Sequence, residues 1–224
     1  MQAVFETLFD ILYLSTVITI GVRMLKKGAS VPQYRLFGTM AVVLGCGDAF
    51  HLIPRAVALC TTGLASYTAA LGIGKLITSI TMTIFYVLLY YVWRSRYEIT
   101  GRKSLTVLIY VLAVLRIALC LFPQNEWTSP LPSLAWGIYR NIPFTILGIV
   151  IVVLYFRSAA EKKDVSFRWL WLSIVISFAC YLPVVLLAER YPLVGILMIP
   201  KTCAYVWTVM IGYLDMKKTL AAGA

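Results

Sequence analysis

The chain has 224 residues, of which 61% are apolar and only 13% charged, and its mean hydropathy is +0.88. A soluble domain of this length has no interior large enough to hide that much apolar surface, so soluble enzymes and carriers are excluded. The net charge of +11 would by itself suit nucleic acid, but the basic residues gather in short loops between apolar runs, as in membrane proteins.

Seven of those runs approach the ~20 residues that a helix needs to cross a bilayer. They predict spans at about 3–22, 36–57, 69–93, 104–122, 134–156, 169–188 and 192–214. The expected fold is all-α, a seven-transmembrane helix bundle forming one domain over residues 1–224, in a multi-pass protein of the cell membrane. The first run lacks a basic leading region and carries Glu6 and Asp10, so it reads as a span and not as a cleaved leader.

The loops order the spans. Arg23, Lys26, Lys27 and Arg35 follow span 1, whereas Ala56 to Thr68 has no basic residue. Arg94, Arg96, Arg102 and Lys103 follow span 3, and "PQNEWTSPLPS" after span 4 is again neutral in bases. Arg157, Lys162, Lys163 and Arg168 follow span 5, the sixth loop has only Arg190, and Lys217 and Lys218 come last. The positive-inside rule then predicts an N-terminus outside and a C-terminus in the cytoplasm. "QYRLFG" opens span 2 and "SFRWLW" opens span 6, while Lys75 and Lys201 sit early in spans 3 and 7. This echo allows a parallel internal repeat.

Nine ionisable residues remain inside spans: Glu6, Asp10, Asp48, His51, Arg55, Lys75, Arg116, Arg140 and Lys201. Each is costly against lipid and is expected to face the bundle interior or water. With the predicted orientation all nine fall in the outer halves or near the midplane. The cytoplasmic halves are expected to pack through apolar residues such as Leu89, Val152 and Ile211. Asp48, His51 and Arg55 share a helix face, as do Glu6, Asp10 and Tyr13. Lys75, Ser79 and Tyr86 lie together on span 3, and Lys201, Tyr205, Thr208 and Gly212 line span 7. The expected site is an outward-facing cavity bordered by Asp48, Lys75, Arg140 and Lys201, with Trp136 and Tyr139 near its mouth.

Five bases against three carboxylates leave a positive surplus there, which favours an anionic lipid head group or a small anion. Membrane lipid is the other expected partner, nucleic acid is not one, and the sequence sets no oligomeric state. His51 is the sole histidine and the five cysteines have no metal-ligand spacing. No metal or other cofactor is therefore expected. The cysteines read as small buried hydrophobes, with Cys60–Cys120 the one conceivable bridge.

The stretch "LGCGDAFHLIPR" (Leu44 to Arg55) resembles the Gly-Asp motif of the YhhN-like lysoplasmalogenases, integral membrane enzymes that cleave the vinyl ether bond of lysoplasmalogens. The segment "IGKLITSITMTIFY" is similar to that family's following span, with Gly74 and Ser79 at matching spacing. The family has eight spans where seven are counted here, and spans 5 to 7 carry no carboxylate. The resemblance implies vinyl ether hydrolysis. Asp48 would be the acid, Asp10 a second carboxylate and His51 a further catalytic group. Arg55, Lys75, Arg116, Arg140, Lys201 and Tyr205 would hold the substrate. A transporter or receptor for an anion fits the same charges. A retinal-type photoreceptor would use Lys201 as its Schiff-base lysine.

Overall fold

The computed structural model describes residues 2–188 and 190–222. Seven α-helices make up the fold: α1 (Gln2–Lys27), α2 (Pro32–Cys60), α3 (Thr68–Arg96), α4 (Lys103–Leu121), α5 (Leu134–Glu161), α6 (Leu170–Leu187) and α7 (Met198–Ala222). Single 3-10 segments at Leu64–Tyr67, Pro123–Asn125 and Pro192–Leu197 lie in three of the connections. Among the described residues there is no strand. All seven helices are long and apolar enough to cross a membrane. The fold is all-α, and it is that of a multi-pass membrane protein.

Helices and predicted spans overlap without coinciding. α1 continues to Lys27 and α5 to Glu161, past the predicted ends near 22 and 156. Backbone hydrogen bonding does not stop where hydrocarbon stops, and Lys26 and Lys27 suit the negative end of the α1 dipole. At the last span the difference matters more. Pro192 opens a 3-10 turn, α7 starts at Met198, and the helix runs on through Asp215 to Ala222.

Short connections make successive helices antiparallel neighbours. Each helix packs on the next, α7 closes against α1, α3 reaches across to α5, and α2 reaches α7. The starts of α1, α3, α5 and α7 therefore share one end of the bundle, called here the N-terminal end. The other, the C-terminal end, gathers the ends of those helices.

Lipid-facing stripes follow helical spacing. Val107, Val111, Val114 and Leu115 of α4 are exposed, as are Ile142, Ile146, Ile149, Val153 and Phe156 of α5. The interior is aromatic, with Tyr86 edge-on to Phe144 at 5.1 Å and Phe85 edge-on to Tyr205 at 5.7 Å between ring centroids. Such pairs add roughly 0.5–1.5 kcal/mol each beyond the area they bury.

Small residues bring α2 and α3 together. A Cβ on Gly74 would collide with the Phe50 carbonyl and come within 2.7 Å of the His51 Cα, and one on Gly47 would strike the Thr81 side chain. Backbone cannot yield as a side-chain tip can. Gly74→Ala is expected to cost about 1–3 kcal/mol, seen as a lower melting temperature in detergent. Gly195→Ala, at a position with open space around it, is the control and should melt like the parent protein.

Candidate functional site

The residues singled out from sequence separate into a central group and two groups nearer the N-terminal end. At the centre, Asp48 of α2 is 9% exposed and accepts a 2.6 Å hydrogen bond from the Tyr13 hydroxyl of α1. Lys201 of α7, 8% exposed, places its positive charge within electrostatic reach of that carboxylate. Its Nζ lies 5.3 Å from the Tyr181 ring centre and 5.1 Å from that of Tyr205. Lys201 thus sits among a carboxylate and two aromatic rings. Thr208 is buried farther along the stripe and meets Ser173 of α6 at 2.8 Å.

Arg116 completes the centre. It is only 2% exposed although α4 is strongly apolar, and its Cζ rests 3.2 Å from the centre of the Phe144 ring. Its Nε and Nη1 make no hydrogen bond, and neither do the buried hydroxyls of Tyr86 and Ser177. Arg116 also lies within electrostatic reach of Lys201.

Nearer the N-terminal end, Arg55 makes an ion pair with Glu6 of 2.9 Å between α2 and α1. Asp10, half-buried, feels the charges of Arg55, Glu6 and Asp48. His51 donates from Nδ1 to the Leu71 carbonyl at 3.2 Å. It therefore joins α2 to α3, with the Lys75 charge nearby. Thr7 and Cys60 meet at 3.6 Å, and all five cysteines are free thiols, so Cys60 and Cys120 are not bridged.

Arg140 turns elsewhere. Its Nη1 donates at 2.6 Å to Asn125, in the 3-10 turn after α4, and its Cζ stands 4.2 Å from the Trp127 ring centre. Asn125 is fully buried and donates in turn to the Leu119 and Phe122 carbonyls, closing the end of α4. Lys75 is exposed. Asp48 and Lys201 therefore come together, while Lys75 and Arg140 serve other surroundings. Among the described residues no three of His, Cys, Asp and Glu are grouped as metal ligands.

Two contributors escaped the sequence reading. Asn141, next to Arg140, is 4% exposed and accepts from the Tyr181 hydroxyl at 2.9 Å, which orients the ring beneath Lys201. Ser177 lies on α6, where no charge drew attention to it. An amide or hydroxyl within an apolar run was the available signal.

The C-terminal end holds a second polar group. Leu89 and Ile211 are buried there in apolar packing, but at the rim Arg96 of α3 binds two carboxylates at once. It donates from Nε and Nη2 to Asp164 at 2.9 and 3.0 Å, and from Nη1 to Asp215 of α7 at 2.8 Å. Tyr34 of α2 donates to Asp215 at 2.9 Å, and Tyr97 to Asp164 at 3.1 Å. One guanidinium thus ties α3, α7 and the α5–α6 connection. A cavity of about 510 Å³ beside it is lined by residues including Arg96, Glu98, Lys163 and Asp164.

Burial alone would raise the pKa of Asp164, but hydrogen bonds from Arg96, the Phe167 amide and Tyr97 hold it below its ordinary value of 3.8. A depressed carboxylate stabilises the fold above its unfolded pKa, and that stability is lost as pH falls through the folded value. The melting temperature is therefore expected to decline below about pH 4. Asp164→Asn should flatten that part of the pH profile.

No family model matches the chain, and no curated protein or solved structure gives a match. The chemistry of the site must speak for its function.

Proposed function

We propose that the protein lies in the cell membrane, N-terminus outside and C-terminus in the cytoplasm, and holds an anionic ligand in the middle of its bundle. The alternation of basic and neutral loops supports the orientation. One observation carries the ligand reading. At the bundle centre Lys201 feels both the Asp48 carboxylate and the Arg116 charge, and the Arg116 Nε and Nη1 are buried without a hydrogen-bond partner. An uncompensated buried cation is costly, and a bound anion removes that cost. The ligand is an anionic lipid head group or a small anion.

The test is thermal melting of purified protein in neutral detergent with an anionic lysophospholipid, glycerol phosphate or uncharged monoacylglycerol. Saturable stabilisation is expected from an anionic compound and should weaken in Lys201→Gln. Equal stabilisation by the uncharged lipid would overturn the reading.

Lysoplasmalogenase-like hydrolysis is the more specific version, favoured by Asp10 and Asp48 lying within reach of each other's charge. Asp48 would protonate the alkene carbon and Asp10 would stabilise the oxocarbenium ion. Water then adds to that cation, and the hemiacetal collapses to fatty aldehyde and the glycerol alcohol. Aldehyde released from a lysoplasmalogen by the parent protein, and lost in Asp48→Asn, is the expected result. No aldehyde from the folded parent protein would leave binding without catalysis.

A further inference from the structure

The unpartnered polar atoms at the bundle centre are not scattered. Arg116 of α4 and Tyr86 of α3 share the Phe144 ring, the guanidinium 3.2 Å from its centre and the Tyr86 ring edge-on at 5.1 Å. Ser177 of α6 and Tyr205 of α7 border the Tyr86 hydroxyl. Tyr86 is 0% exposed, Ser177 1% and Arg116 2%. Arg116 Nε and Nη1, the Tyr86 hydroxyl and the Ser177 hydroxyl are all without a hydrogen-bond partner.

Every one of these groups can donate a proton, and the two guanidinium nitrogens can do nothing else. Two acceptors of the bundle centre already receive hydrogen bonds. Asp48 takes the Tyr13 hydrogen bond, and Asn141 takes that of Tyr181. Lys201 adds a second positive charge within reach. A convergent set of donors with surplus positive charge lacks one chemical complement, an anion.

The surroundings limit its size. Phe144 and Phe178 pack at 5.0 Å, and Tyr86 and Phe178 at 5.6 Å between ring centroids. Three helices supply these donors through this aromatic packing, which suits one compact ion. Cavities of about 510 and 190 Å³ lie at the C-terminal end, lined by residues such as Asp164 and Asp215.

We infer that Arg116, Tyr86 and Ser177 form an occluded site for a single compact monovalent anion of the halide class, enclosed by α3, α4, α6 and α7. This rests on the reading of the bundle centre as an anion site and narrows the ligand. Phenol and aliphatic hydroxyls with a guanidinium solvate a halide without needing the directional geometry of phosphate.

Melting of the purified protein in sodium gluconate, chloride and bromide at one ionic strength tests it, because matched ionic strength removes general screening. Chloride and bromide should raise the melting temperature saturably. Tyr86→Phe deletes one donor atom and should weaken the chloride midpoint about fivefold, the effect of one lost hydrogen bond. Arg116→Met should melt at least as high as the parent protein in gluconate and show no response to chloride. Should Arg116→Met fail to fold, the Tyr86→Phe midpoint still decides. Identical melting of the parent protein in gluconate and chloride overturns the inference, as does an unchanged midpoint in Tyr86→Phe. Stabilisation by glycerol phosphate but not by halides overturns it while leaving the wider anionic-ligand reading in place. No response to either class removes both.

Discussion

Asp48→Asn is expected to lower the melting temperature sharply, and adding Lys201→Met is expected to recover much of the loss. Asparagine can still accept the Tyr13 hydrogen bond of 2.6 Å, so the change removes charge and little else. It leaves Lys201 within reach of the Arg116 charge and without the Asp48 carboxylate. Stranding one member of a buried pair costs about 3–5 kcal/mol, whereas replacing both members by uncharged groups is often neutral. A double-mutant cycle on these two positions measures the coupling directly. Parental melting in Asp48→Asn would mean that Asp48 does not compensate Lys201. Retained folding with loss of aldehyde release would then assign the carboxyl to proton transfer.

The seven helices were legible because apolar length is a strong signal and each basic loop marks a boundary. Asp48, Lys201 and Arg116 drew attention for a related reason, together with Lys75 and Arg140: a charge inside hydrocarbon must be accommodated. Direction along a helix is harder to read. Lys75 and Arg140 have depths similar to the others, but helical phase and the turn at Pro123–Asn125 send them to other partners. Neutral polar residues carry still less signal. Ser177 and Asn141 matter through hydrogen bonds whose partners come from other helices, and no local pattern shows that. Asp215 was hidden by its position just past the apolar run. There it reads as part of a solvated tail, until α7 continues and carries it against Arg96.

Arg96→Gln is expected to loosen the C-terminal end more than any other single change there. The Arg96 side chain is 22% exposed, and its two partners are nearly buried, Asp164 at 7% and Asp215 at 6%. Glutamine reaches less far and carries no charge, so two carboxylates would face each other without a cation. The guanidinium also lies 4.6 Å from the Phe167 ring centre, a contact that is lost as well. A cost of about 3–5 kcal/mol follows for a broken buried pair. Because Arg96 joins α3, α7 and the α5–α6 connection, the effect should be local before it is global. Amide exchange is expected to rise first across residues 162–170 and the last turns of α7, while the α1–α2 contact around Asp48 stays protected. Asp215→Asn keeps the Asp164 pair and should show a smaller version of the same pattern. Unchanged exchange in those segments would mean that Arg96 does not fasten that end of the bundle.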